Sequence, residues 1–287
     1  NTLGSIGVNT GFILAILIIS TTPLIENRKE FQKNGMFLIL IMLLLWAAGF
    51  LFHTISRPMG LVLIALLVLY MISNVLSARK LMDLDIQFDI VDEQHVFDNT
   101  NSSEPLPEGM AYDERENDFN VSMQMISHKI IFFVLGVGFV LIGSNLLVNN
   151  GIRIAEILHV PTIVIAVFFT SVGTSLPELI TVLTSMRKHA SSLGIGNIIG
   201  ANILNILQVI GISSLLRPME ITGDPSILSF QIPLLLVMLI SLVGFGSFSG
   251  GRLHKWQGFW LLALYLIFLF VNILREGTPI LGPLLFK

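Results

Sequence analysis

Eight long apolar runs divide this chain, near residues 2–24, 36–52, 59–76, 130–149, 157–186, 191–216, 226–248 and 256–274. A helix needs about 20 apolar residues to cross the hydrocarbon core of a bilayer. Inside that core every backbone N–H and C=O must be bonded within the protein, which leaves helices or a closed barrel. The runs lack the alternation of barrel strands, so the sequence predicts an all-α membrane protein. Composition agrees, with 53% hydrophobic residues, 12% charged residues and a mean hydropathy of +0.82. The chain has no cysteine, which removes disulfides, thiolate metal sites and thiol nucleophiles.

Charge orients the helices. If residues 26–33, 78–129, 187–189 and 252–255 share one side, that side holds eleven Lys and Arg residues against five on the other. The positive-inside rule then makes those loops cytoplasmic and puts both termini outside. The first residues are already apolar and carry no basic leader, so no cleavable signal is expected. Residues 83–118 hold twelve acids against one base, Arg115. Such a segment reads as a solvated linker. An EF-hand frame from Asp83 fails, with Phe88 in the glycine position and Gln94 in the glutamate position. The expected organisation is three helices over 1–80, an acidic cytoplasmic linker over 81–128 and five helices over 129–287.

One internal match stands out. Asn1-Thr2-Leu3-Gly4-Ser5-Ile6-Gly7-Val8-Asn9 lies on Asn197-Ile198-Ile199-Gly200-Ala201-Asn202-Ile203-Leu204-Asn205, with Asn1, Gly4 and Asn9 recurring at an offset of 196. Five crossings separate the copies, so they run in opposite directions. Inverted repeats with discontinuous helices are the usual build of secondary transporters, with substrate held between the repeats. Five helices follow the acidic linker and three precede it. The repeat therefore predicts eight helices present of ten, with a first half truncated by two helices at its N-terminal end.

The polar residues inside the apolar runs carry the chemistry. Gly173-Thr174-Ser175-Leu176-Pro177-Glu178 places a carboxylate in a span, where an acid costs several kcal/mol unless it faces a cavity, a proton or a cation. Ser175 and Glu178 have capping-box spacing, and Pro177 suits a first helical turn. A helix therefore restarts here, behind the apolar stretch from Val160 to Thr174, and leaves backbone carbonyls free within the membrane. With the hydroxyls of Thr174 and Ser175 and the carboxylate of Glu178 they form an all-oxygen set suited to calcium, sodium or magnesium. In the next run, Gly196 and Gly200 have the spacing of close helix packing. Packing does not explain Asn197, Asn202 and Asn205, although polar glue between helices is an ordinary role for each. Ser5 and Asn9 are the symmetric counterparts of Ala201 and Asn205.

These residues resemble the calcium/cation antiporters, and within them the sodium/calcium exchangers of the prokaryotic type. The resemblance rests on the G-T-S-x-P-E and G-N-x-x-G-x-N-x-x-N patterns of the second half and on their partial copy in the first span. It implies ten helices in two inverted halves, and outward transport of calcium in exchange for sodium. It further implies that Glu178 bridges calcium and sodium sites, that Thr174 and Ser175 add oxygens, and that Ser5, Asn9, Asn205 and Asn202 take part in the coordination. The sequence departs from the pattern in places. Ala201 stands where the family often has Ser, Asn205 where many members have Asp, and Ile6 where the second copy has Asn202. The partner Glu of a first copy is absent from the chain, and one carboxylate instead of two implies weak calcium binding.

The proton-coupled branch of the same superfamily has a Gly-Asn-x-x-Glu core, which this chain lacks, so sodium coupling is expected over proton coupling. A non-transporting membrane subunit is the remaining alternative. No H-E-x-x-H, nucleophile elbow or P-loop is present, and no enzymatic role is expected. The expected partners are calcium, sodium and membrane lipid, without nucleic acid or a resident cofactor, and the expected location is the plasma (inner) membrane. Two further helices at the N-terminal end would complete the bundle.

Overall fold

The computed structural model describes residues 2–77, 111–157, 171–221 and 226–277. They form nine helices and two short strands: α1 Thr2–Thr21, α2 Arg28–Phe52, α3 Arg57–Ser77, α4 Ala111–Ile157, α5 Ser171–Thr174, α6 Leu176–Arg187, α7 Ser191–Leu216, α8 Ile227–Phe248 and α9 Lys255–Gly277, with β1 Thr54–Ile55 and β2 Met219–Glu220. Among the described residues, seven helices are long and apolar enough to cross a membrane. The expected span at 157–186 is described only from Ser171. There it is broken at Ser175 into α5 and α6.

Two boundaries differ from expectation. Helix α2 begins at Arg28, well before the apolar run at Met36. The reason is a capping pair: Asn27 Oδ1 accepts from Glu30 N–H (3.2 Å), and Asn27 Nδ2 donates to Glu30 Oε2 (2.9 Å). The basic turn that follows extends the helix beyond the hydrocarbon. Residues 111–128, expected in the linker, are the opening turns of α4. Ala111, Asp113, Glu114 and Glu116 favour a helix start, because acids complement the positive end of the helix dipole. Most of the acidic linker lies outside the described residues.

Residues 1–67 pack with 140–287 as one compact unit, and 68–139 form a second. The first unit carries the polar residues singled out above. Its α2 buries Leu38, Ile41, Met42 and Leu45 yet exposes Leu40, Phe50 and Leu51. A helix apolar on all sides belongs in lipid. This is an integral membrane protein.

Contacts within this unit reveal a two-fold relation between α1–α3 and α7–α9 that extends far beyond the one sequence match. Gly60 of α3 lies on the backbone of α7, where a Cβ would stand 2.9 Å from Gly211 O and 2.9 Å from Leu215 N. Gly258 of α9 lies on α1 in the same way, 3.0 Å from Ala15 O and 3.2 Å from Ile19 N. The offset of 196 carries Ala15 to Gly211 and Ile19 to Leu215. Gly49 of α2 faces Ile221 and Leu228, while Gly246 of α8 faces Ile25 and Phe31, the same contact with the repeats exchanged. Strand β1 pairs antiparallel with β2, Thr54 opposite Glu220, and the isolated bridge between Leu24 and Arg252 is the exchanged copy.

The two β contacts are one crossing apart along the chain and lie on opposite faces. Leu253 N–H donates to Pro23 O (3.0 Å), and Glu26 N–H donates to Ser192 Oγ (3.4 Å). These bonds bring together the loops around 22–27, 187–192 and 249–254, the described loops that the charge count assigns to one side. A Cβ on either Gly196 or Gly200 would meet nothing within 4 Å, so packing among the described residues does not account for them.

Candidate functional site

Proline creates the break between α5 and α6. In a continuous helix the Gly173 carbonyl would receive the N–H of residue 177, and Pro177 has none. Ser144 of α4 supplies the missing donor, its Oγ–H reaching Gly173 O at 2.6 Å. The approach requires a glycine, because a Cβ at position 173 would strike Val148. Replacing Ser144 by Ala will leave that intramembrane carbonyl without its donor. The expected cost is about 1–3 kcal/mol, read as a lower melting temperature of the detergent-purified protein. An unchanged melting temperature would show that the carbonyl finds another donor.

Ser175 stands at the break with φ −97° and ψ 7°. The capping box expected from its spacing with Glu178 is not formed, since the Ser175 side chain makes no cap hydrogen bond. Its Oγ is buried and has no hydrogen-bond partner among the described residues; the same holds for Glu178 Oε2 and Asn9 Oδ1. Thr174 Oγ1 donates to Ser171 O (3.1 Å), and the hydroxyls of Ser5 and Thr174 are hydrogen-bonded to each other at 2.8 Å. Gly4 permits this crossing, as a Cβ there would meet the Ser171 hydroxyl.

The symmetric helices α1 and α7 each contain a π-helical segment, Val8–Ile13 and Asn205–Ile210. In α1, Leu14 N–H bonds Asn9 O, five residues back. Such widened turns are rare and frequently mark functional sites. Asn9 lies in one and Asn205 opens the other. The π turn of α1 packs against α6 and α7, and the first turns of α1 pack against α5 and the π turn of α7. Asn9 Nδ2 donates to Asn202 Oδ1 (3.0 Å), and Asn202 Nδ2 donates to Thr10 Oγ1 (2.8 Å).

The structure thus joins Ser5 to Thr174 and Asn9 to Asn202, and packs the Asn9 turn against the helix of Glu178. Asn205 and Ala201 are half-buried on α7. Sequence reasoning did not find Thr10, Ser144 or Ser171. Only Ser144 left any trace, through the carbonyl that Pro177 was bound to free. A cavity of about 440 Å³ reaches Gly4 and Ser171 from the end of the unit where β1 meets β2, and Thr2, Glu220, Gln231 and Asn272 also line it.

Three buried oxygens, on the three side chains Asn9, Ser175 and Glu178, have no hydrogen-bond partner among the described residues. Buried polar atoms in folded proteins are almost always satisfied, so each exception needs an explanation. A cation supplies one. Among the described residues, no three His, Asp or Glu side chains converge. The donor set is one carboxylate with hydroxyls and amides, all hard oxygen, which suits calcium or sodium better than a transition metal.

Residues 128–274 match the family described as sodium/calcium exchanger protein. Over 142 residues the chain is 34% identical to the sodium/calcium exchanger MaX1 of Methanosarcina acetivorans, an alignment covering 50% of this chain and 40% of that protein. Over 267 residues it is 27% identical to an uncharacterized membrane protein of Methanocaldococcus jannaschii, covering 93% and 74% of the two chains. Its fold matches a structure of the sodium-calcium exchanger NCX_Mj with a TM-score of 0.64 at 23% identity, over 93% of this chain and 74% of that one. At that identity the likeness is one of fold. The chain spans less than half the length of the Methanosarcina protein and about three quarters of the other two.

Proposed function

Because the chain belongs to the sodium/calcium exchanger protein family, we propose that it works as a sodium/calcium antiporter in the plasma membrane, moving calcium outward as sodium moves in. The carrying observation is the set of buried unpartnered oxygens on Asn9, Ser175 and Glu178. Glu178 supplies the charge and is shared by calcium and sodium. Ser175 and Thr174 add oxygens at the helix break, and Ser5, Asn9 and Asn205 close the set from the symmetric helices. Alternation of the two inverted bundles around this site gives access from either side, as in other inverted-repeat transporters. The cavity lined by Gly4 and Ser171 is the outer approach. The transported ions are the substrates, and the proposal needs no resident cofactor.

The test is calcium uptake by liposomes containing the full-length protein, under a sodium gradient and separately under a pH gradient. Sodium-loaded vesicles are expected to take up calcium, and collapsing the sodium gradient with an ionophore is expected to stop it. Uptake driven by the pH gradient alone would make the protein a calcium/proton antiporter. Flux under neither gradient would leave a non-transporting membrane subunit.

A further inference from the structure

We propose that Asn202 and Thr10 are positioning residues: together they hold the amide of Asn9 in the place from which its oxygen meets the transported cation. The inference rests on the antiporter reading for the identity of the ion. The two ends of an asparagine amide are alike in size, so shape alone does not choose between them. A cation does choose, because the oxygen attracts it and the NH2 group, carrying partial positive charge, repels it. Asn9 Nδ2 donates to Asn202 Oδ1, and Asn202 Nδ2 donates to the Thr10 hydroxyl, an arrangement that holds the Asn9 side chain in place and leaves its oxygen to the cation. All three side chains are sealed from solvent, with Asn9 and Thr10 at 0% and Asn202 at 1% exposure. At the other end of the same amide, Asn9 Oδ1 is buried and has no hydrogen-bond partner among the described residues.

The repeat shows that this is not a general feature of the helix pair. At the offset of 196, the counterpart of Asn202 in α1 is Ile6, and the counterpart of Thr10 in α7 is Ile206. Neither isoleucine can hold an amide. Asn205, the counterpart of Asn9, therefore lacks the equivalent pair of partners and is half-buried. The device exists on one side of the two-fold, so Asn9 is a preorganised ligand in a way that Asn205 is not. Simple interhelical glue is the competing explanation of the bonds between Asn9, Asn202 and Thr10. Glue would lower stability without changing ion affinity.

The experiment compares Thr10→Val, Thr10→Ala, Thr10→Ser and Asn202→Leu in the full-length protein. It measures half-saturating calcium and maximal rate in liposomes, and calcium-induced thermal stabilisation in detergent. Removing an outer partner of a metal ligand typically costs about 10- to 100-fold in affinity. That rise in half-saturating calcium is expected for Thr10→Val and Asn202→Leu, while Thr10→Ser, which keeps the hydroxyl, stays at the wild-type value. Thr10→Ala gives the same reading if the valine variant does not fold. Wild-type affinity in the folded Thr10→Val or Thr10→Ala protein overturns the inference, as does an equal loss in Thr10→Ser. A wild-type protein that binds calcium in detergent but transports none overturns only the antiporter reading, and the affinities of the variants still decide this one.

Discussion

Glu178→Gln is expected to abolish sodium-driven calcium uptake while leaving the protein folded. Gln has the shape of Glu and can occupy the same place at the start of α6, so packing is not disturbed. What disappears is the only carboxylate among the sequence-derived site residues, leaving hydroxyls and amides to hold a doubly charged ion. Two unit charges about 4 Å apart attract by about 4 kcal/mol at the effective dielectric of a protein site, close to a thousandfold in affinity. Uptake should therefore fall at least about a hundredfold at subsaturating calcium, even if only part of that attraction survives. Glu178→Asp keeps the charge but withdraws it by one methylene and should fall between the two. The measurement is initial uptake rate in sodium-loaded vesicles, paired with the melting temperature of each purified variant. A Gln variant that melts like the wild type and transports at the wild-type rate removes Glu178 from the mechanism.

Glu178 was legible in the sequence because an acid in an apolar run has no ordinary explanation. The same reasoning found Asn202 and Asn205, since amides are uncommon where hydrocarbon surrounds the helix, and the internal repeat carried Asn205 back to Asn9. It failed where a residue has a common alternative use. Thr10 and Ser144 are hydroxyls in membrane helices, where such side chains routinely bond a neighbouring turn or helix, and nothing in their spacing sets them apart. The spacing of Ser175 from Glu178 marks the helix restart seen at this point, although the Ser175 hydroxyl makes no cap hydrogen bond. Gly196 and Gly200 carry the spacing of a helix crossing, and among the described residues nothing lies within 4 Å of a Cβ at either, whereas Gly4, Gly60 and Gly258 are among the glycines that do make crossings. The π turns of α1 and α7 left no recognisable pattern at all.

The repeat was legible only over nine residues, and the physical reason is instructive. Where Gly60 meets α7 and Gly258 meets α1, the contacts include the backbone of the partner helix. Backbone contact constrains the incoming residue to be glycine but leaves the receiving side chains largely free. Ala15 and Gly211, or Ile19 and Leu215, can therefore occupy equivalent places without resembling each other. The pairing of Gly49 with Ile221 and of Gly246 with Ile25 keeps the residue types, yet these are single apolar contacts in a chain full of isoleucine. Symmetry of this kind becomes visible only when contacts, rather than letters, are compared.

The same geometry predicts that Gly60→Ala and Gly258→Ala will each be destabilising, and by similar amounts. At Gly60 the new methyl would lie 2.9 Å from both Gly211 O and Leu215 N, and at Gly258 it would lie 3.0 Å from Ala15 O. Backbone atoms cannot rotate aside as a side chain can, so the helices must separate. Overpacking of this kind costs about 1–3 kcal/mol. Valine at either position should prevent recovery of folded protein. The two crossings involve different helix pairs, so the double alanine variant should lose the sum of the two, to within about 0.5 kcal/mol. Gly244 on α8 is the control, because a Cβ there meets nothing within 4 Å, and its replacement by Ala should leave stability unchanged or slightly raised. Transport should suffer as well as stability. Gly258 bears on α1 just beyond its π turn and Gly60 on α7 just beyond its own, so displacing either helix moves Asn9 or Asn205. If Gly60→Ala melts no lower than Gly244→Ala, the helices can part at no cost, and the symmetric crossings do not hold the site helices in place.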